Sequence, residues 1–348
     1  MIYLSFFPDY KNHVNVNGNA ITSEKLYLRY FKKKKDLLLN TTSSNQYLTK
    51  INKITYSFYA LFLLISKKQK SIFTVLLDNF GFYPHVFLLF IASFFCKKIL
   101  IYHHSFKYIR EKKLLLSLLK SRNIINIATS KKQLLILKKI YGLSNSHLIG
   151  NFIFLLDEKV KFKKRVRKNF KVIFFSSIVK RKGIFDFIEL SKKFLKENNI
   201  NFYIYGNDCT ADMLKTLKSL KKHKIITNYK LNIYGKTKKQ IFMNNDILIF
   251  PSKHDSETTP LVLDECINFG IVPIAYNIGD TRSQIGQLGL VVNSFKHLNQ
   301  KLLDITSDYK KTKGKLIRYK KVKLLEKKIL LKKLDSFFSE NNYTNLNI

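Results

Sequence analysis

Short apolar runs rich in Ile, Val, Phe and Tyr alternate with longer Lys- and Leu-rich stretches along the whole chain. This alternation is the strongest constraint on the fold. Strands are expected at Ile2–Phe7, Ile72–Asp78, Lys98–His103, Ile124–Thr129, Lys171–Ser177, Asn201–Gly206, Leu231–Gly235, Asp246–Pro251, Ile271–Tyr276 and Gly289–Val292. Helical patterns lie between them, as in Ile184–Asn198, Ala211–Lys222 and Leu261–Phe269. Val172–Phe175 and Ile247–Phe250 are apolar at consecutive positions, which suits strands covered on both faces. Repeated βα units dictate an α/β protein with parallel, right-handed, doubly wound sheets.

The pattern runs twice, which with 348 residues implies two domains. The expected division is 1–152, then 153–325, with a Lys/Leu helix, 326–348, that crosses back to the first domain. Two such domains facing each other form a cleft at the carboxyl ends of their strands, where ligands bind.

Cys96, Cys209 and Cys266 are far apart and form no C-x-x-C pair, so they read as reduced thiols in a reducing compartment. Met1–Phe7 lacks the basic leader of a signal peptide. His85–Cys96 is the longest apolar run, and twelve residues are too few for a bilayer, which needs about 20. It reads as a buried or interfacial helix. The net charge is +40, and residues 1–150 are the more densely basic part. That excess implies an anionic partner, with a negative membrane surface favoured. A Lys-biased proteome gives the same composition, since only eight of the 63 basic residues are Arg. Neither an aromatic-studded basic face nor a helix-turn-helix is found, so no nucleic-acid partner is expected.

The segment Asn244–Gly270 concentrates the chemistry. A buried strand ends at Pro251-Ser252, a polar loop holds Glu257, and a helix begins near Pro260. Amides around Thr258, Thr259, Pro260 and Leu261 would form the positive end of that helix, a phosphate site built from backbone. Glu265, about a turn inside, is placed to accept hydrogen bonds from a ribose diol. Acids near a helix start are also favoured for purely local reasons.

This segment resembles glycosyltransferase family 4, retaining enzymes of the GT-B fold, whose hallmark is two Glu separated by seven residues after a strand ending in Pro-Ser. Thr258-Thr259 stands where the family usually has Gly-Phe, and Cys266 where it usually has Ala. Phe174–Gly183 resembles the family's strand and phosphate-binding loop. Lys182-Gly183 matches it, while Ser176-Ser177-Ile178 replaces Gly-Arg-Leu, so Ser177 stands in place of an Arg. Lys180 or Arg181 is placed to substitute. Asn201–Gly206 resembles the next strand with its glycine turn, and Asn151 matches a frequent Asn. The likeness spans about residues 124–295.

The resemblance implies two facing Rossmann-like domains and transfer of a sugar from a UDP- or GDP-sugar with retention. No cofactor and no metal are implied. Glu257 would hold donor-sugar hydroxyls, Glu265 the ribose, and Lys182, Ser177, Arg181 and Gly206 the diphosphate. His103 or His104 would contact the donor sugar. The loop with Gly18 and Asn19 would serve the acceptor, a glycan or lipid-linked glycan of a bacterial surface polysaccharide. A cytoplasmic protein peripheral to the membrane is expected. The alternatives are a membrane-surface adaptor with an impaired site and a GT-B sugar-nucleotide epimerase.

Overall fold

Parallel pairing of successive βα units produces two separate six-stranded sheets in the computed structural model. It describes residues 2–5, 24–25, 27–29, 37–41, 46–66, 71–76, 82–103, 105–106, 109, 113–160, 162, 169–197, 199–207 and 209–338. Contacts divide the chain into two units. The first holds Met1–Phe154, Ser256–Thr259 and Leu330–Ile348; the second holds Leu155–Asp255 and Pro260–Ile329.

In the first unit the strands are β1 (Ile2–Ser5), β2 (Leu37–Asn40), β3 (Ser71–Val75), β4 (Lys98–His103), β5 (Ile124–Ala128) and β6 (Ser146–Leu148), in the order β2-β1-β3-β4-β5-β6. Helices α1 (Gln46–Ile65) and α2 (Phe82–Ala92) pack on one face, where Ala60, Leu64, Phe82, Val86 and Leu89 meet Ile2, Ile72 and Ile99. The other face carries Phe73, Leu100, Tyr102, Ile125 and Ile127. Helix α3 (Lys131–Lys139) is capped by Ser130, whose hydroxyl accepts from the Gln133 amide.

The second unit contains β7 (Phe170–Phe175), β8 (Ile200–Gly206), β9 (Asn228–Leu231), β10 (Ile247–Phe250), β11 (Val272–Tyr276) and β12 (Val291–Val292), in the order β12-β11-β10-β7-β8-β9. Its helices are α4 (Ile184–Lys193), α5 (Ala211–Lys222), α6 (Gly235–Asn244), α7 (Leu261–Phe269), α8 (Thr281–Ile285) and α9 (Phe295–Ser307). Ile184, Phe187, Ile188 and Leu190 form the buried side of α4, spaced as one helix face. The long helix α10 (Tyr309–Phe338) belongs to the second unit as far as Ile329. Beyond it, Leu330, Leu331 and Leu334 pack into the core of the first unit beside Phe73 and Tyr102.

The structure moves several sequence expectations. Strands β2 and β6 have four and three residues, too short to stand out from their flanks. The strand expected at Leu231–Gly235 is Asn228–Leu231, and Gly235, at φ +53°, opens α6 instead. Helix α4 ends at Lys193 rather than Asn198, because the backbone leaves the helical region at Phe194. The apolar run expected at His85–Cys96 forms α2 three residues earlier and closes in a turn at Ser93–Phe95.

Candidate functional site

In the second sheet the chain runs outward from β7 to β8 and β9, then returns to place β10 against the other side of β7. A reversal of this kind leaves room at the carboxyl ends of β7 and β10 for a ligand. The loops after those strands are Ser176–Gly183 and Pro251–Pro260, the segments singled out by the sequence. They are fastened together. Lys253 N–H donates to Arg181 O at 2.9 Å. Gly183 sits at φ +80°, and a Cβ there would lie 1.9 Å from the Pro251 carbonyl oxygen. Only glycine permits this approach. Gly206 answers a similar demand, since a Cβ would lie 1.8 Å from Ser176 O. Asp186 on α4 completes the fastening, accepting from Lys253 Nζ at 2.9 Å and from the Tyr276 hydroxyl at 2.6 Å. Lys182 lies half-buried in the turn Lys180–Lys182, and Arg181 is exposed beside it.

Pro260 is the N-cap of α7 and has no N–H. Leu263 N–H turns back to Pro260 O at 3.1 Å. Among the described residues no group bonds to the amides of Leu261 and Val262. Leu261 and Val262, at the start of the helix, thus present amides to the end that carries about half a positive charge.

Glu265 is mostly buried on α7 and pairs with Lys238 of α6, Nζ to Oε1 at 2.7 Å. Lys238 also lies over the Phe175 ring, 5.3 Å from its centre. The second carboxylate oxygen, Oε2, is buried and has no hydrogen-bond partner among the described residues. A buried acceptor without a partner costs about 1–3 kcal/mol of stability.

Behind Glu265, Asp264 is 4% exposed and accepts from Gln284 Nε2 at 3.2 Å. The same Nε2 donates to Pro260 O at 3.3 Å, and the Tyr319 hydroxyl donates to Gln284 O at 2.5 Å. Asp264 is thus tied to the first residue of the helix. Burial raises its carboxyl from 3.8 to about 7; Lys323 and the Gln284 hydrogen bond pull it down, and Glu265 pushes it up. The folded state therefore holds this proton more tightly than the unfolded chain. The stability it contributes is whole below 3.8 and is lost as pH rises through about 7. Asp264→Asn should remove that loss. Denaturant unfolding should show the stability of the variant relative to wild type rising by about 1–3 kcal/mol between pH 5 and pH 8. An unchanged difference at the two pH values would refute a buried, protonated Asp264.

The other end of α7 is held by cations. Gly270 takes φ +75° and closes the helix. Lys313 Nζ donates to Gly270 O, and Lys320 Nζ donates to Asn268 O at 2.8 Å. Ammonium groups at the negative end of a helix are favourable, and burial lowers the Lys313 amine to about 8.

In the first unit, His103 ends β4 at 0% exposure with Nε2 2.9 Å from Asn126 Oδ1. Burial lowers it to about 4, although the Asn126 hydrogen bond opposes the shift, so the ring is neutral at pH 7. Tyr102 OH donates to Asn151 Oδ1 at 3.1 Å, and Asn151 Nδ2 donates to Thr259 Oγ1 at 3.1 Å. Thr259 is thereby anchored, Thr258 is buried, and Glu257 is partly exposed. Thr259 thus has a hydrogen-bonding task that a residue without a side-chain hydroxyl would not perform. His104, Gly18 and Asn19 lie outside the described residues.

Lys238, Gln284, Lys253 and Asp186 were not identified from the sequence. Each belongs to a different βα unit from its partner, so no spacing reveals it. Among the described residues no group of three or more His, Cys, Asp or Glu is arranged to hold a metal ion. None of the described helices is long and apolar enough to cross a membrane.

Residues 157–323 match the family model of glycosyl transferases group 1. Solved structures share the fold at low identity. A glycosyltransferase from Rickettsia africae is 14% identical with TM-score 0.61, over 95% of this chain and 98% of that one. HepE of Anabaena, crystallised with UDP, is 12% identical with TM-score 0.61, over 92% and 93%. TarM is 18% identical with TM-score 0.59; the likeness covers 83% of this chain but only 58% of TarM. Comparison with curated proteins gives no match. The two parallel α/β units constitute the GT-B fold.

Proposed function

We propose that this chain, a glycosyltransferase of GT-B type, moves a sugar from a nucleoside-diphosphate donor to a glycan or lipid-linked acceptor with retention at the anomeric carbon. The observation that carries the reading is on α7. One helix presents amides at Leu261 and Val262 and, a turn later, Oε2 of Glu265, none of which has a hydrogen-bond partner among the described residues. A nucleoside diphosphate complements both, with phosphate at the amides and the ribose hydroxyls at Glu265. UDP is the favoured nucleotide, because HepE and the pneumococcal transferase GtfA were each crystallised with it.

The chemical demand is to stabilise the negative charge that grows on the departing diphosphate. Lys182 and the α7 amides supply positive charge at that place without a metal, with Arg181 and Ser177 beside them. Glu257 holds hydroxyls of the transferred sugar. His103 or His104 is assigned to the donor sugar on the family resemblance; of the two, His103 is engaged with Asn126. The Gly18–Asn19 loop is assigned to the acceptor. We place the activity in bacterial surface-polysaccharide synthesis (capsule, O-antigen or lipopolysaccharide), at the inner face of the cytoplasmic membrane. The net charge of +40 and the family resemblance support that placement.

Titration calorimetry with UDP and GDP tests the reading. UDP should bind with a Kd on the order of 1–100 μM, corresponding to about 5–8 kcal/mol. Absence of binding by either nucleotide would reject a donor site and favour an adaptor.

A further inference from the structure

Helix α1 is apolar on two opposite sides. Ala60, Leu63 and Leu64 are buried against the sheet. At 100° per residue, Leu48, Ile51, Ile54, Phe58, Phe62 and Ile65 fall on the far side, and all are exposed. A helix at a protein surface ordinarily turns polar residues outward. Helix α2 repeats the anomaly. Phe82, Val86 and Leu89 are buried, while Tyr83 and Phe87 are exposed. In the turn that follows, Phe94 is 71% exposed and its ring meets Phe90 edge-on at 5.2 Å. That turn is held in place by Asn123, whose Nδ2 donates to Ser93 O at 2.6 Å and Cys96 O at 2.9 Å. Both helices cover the same face of the first sheet, so their outer sides share one surface. Scattered exposed apolar residues need no explanation, but two adjacent helices with apolar outer faces do.

Charge identifies the occupant. Between Gln46 and His103 the sequence has seven lysines and one acid, Asp78. Lys97 is exposed directly after the Phe94-Phe95 turn. An anionic lipid surface complements Lys97 and the basic flanking sequence while taking up the aromatic rings.

We propose that the outer faces of α1 and α2 dock at the headgroup–acyl boundary of an anionic bilayer leaflet, with Phe58, Phe62, Phe87 and Phe94 among the lipids. This deepens the membrane partner proposed above and is independent of the transferase reading. The chain has no tryptophan, so Phe62→Trp gives a single reporter. With vesicles of mixed phosphatidylglycerol and phosphatidylcholine its emission should shift to the blue and be quenched by brominated acyl chains. Pure phosphatidylcholine should produce little effect. The triple variant Phe58→Ser, Phe62→Ser, Phe94→Ser should float with anionic vesicles at least about tenfold less than wild type, while binding UDP unchanged. Unshifted emission from the Phe62→Trp reporter, with vesicles that wild type binds, would overturn the surface, as would undiminished flotation of the triple variant. Wild type that floats with neither vesicle removes the membrane partner altogether. A dimer that the triple variant breaks would assign the surface to a second copy and refute lipid docking.

Discussion

Glu257→Ala should lower turnover by about 10²–10³-fold and leave UDP affinity within about threefold, whereas Glu265→Ala should weaken UDP binding about a hundredfold. The contrast follows from the two proposed tasks. Glu257 is partly exposed on a loop whose neighbours Thr258 and Thr259 supply the anchoring, so removing its carboxylate leaves the loop in place. What is lost is one charged acceptor for sugar hydroxyls, and such bonds are each worth roughly 1.5–3 kcal/mol, more where charge develops in the transition state. Glu265 is different. Its removal deletes the acceptor for the ribose and leaves Lys238 without its 2.7 Å partner, so no oriented carboxylate remains at that place. Two charge-assisted bonds at about 1.4 kcal/mol per tenfold give the expected hundredfold. Steady-state kinetics with calorimetry on both variants separates the tasks. Equal losses of affinity would merge them, and wild-type turnover in both would refute the site.

Gly183→Ala should be the most damaging small substitution in the second unit. Its φ of +80° costs an alanine about 1–2 kcal/mol, and the added Cβ would stand 1.9 Å from Pro251 O and 2.5 Å from Pro251 C. Backbone must therefore move at the junction of β10 and α4, which also holds the Lys253–Arg181 bond. A total of about 3–5 kcal/mol is expected, or roughly 10 °C in the melting temperature of that unit. Gly235→Ala is the matched control. It has φ +53° but nothing within 4 Å of the added Cβ, so only the backbone term of about 1–2 kcal/mol remains. Equal melting temperatures for the two variants would show that the close approach to Pro251 is relaxed in solution.

The sequence carried the α/β class because buried parallel strands require unbroken apolar runs, and Ile247–Phe250 displays one without ambiguity. It also marked α7 at both ends. Pro260 cannot donate and Gly270 can adopt positive φ, so the bounds Leu261–Phe269 follow from local chemistry. Thus the place of Glu265 on one helix, a turn past Pro260, was legible in the sequence. Strands β2 and β9 were not, since their short or half-polar stretches gain strand geometry only from neighbours already in the sheet.

What tertiary structure alone decided is the electrostatic setting of that helix. Lys238 reaches Glu265, Gln284 joins Asp264 to Pro260, and Lys313 and Lys320 close the far end, each from a separate element. Nothing in linear spacing relates positions 238, 265 and 284. The return of β10 to the side of β7 opposite β8 builds the loop junction at Gly183 and Pro251, and strand order is not written in any local pattern. The same holds for the outer face of α1. Its sequence carries apolar residues around the whole helix, and only packing against the sheet shows which of them are left over. Local chemistry fixes where elements start and stop, whereas burial and pairing across distant elements fix what each charged group experiences.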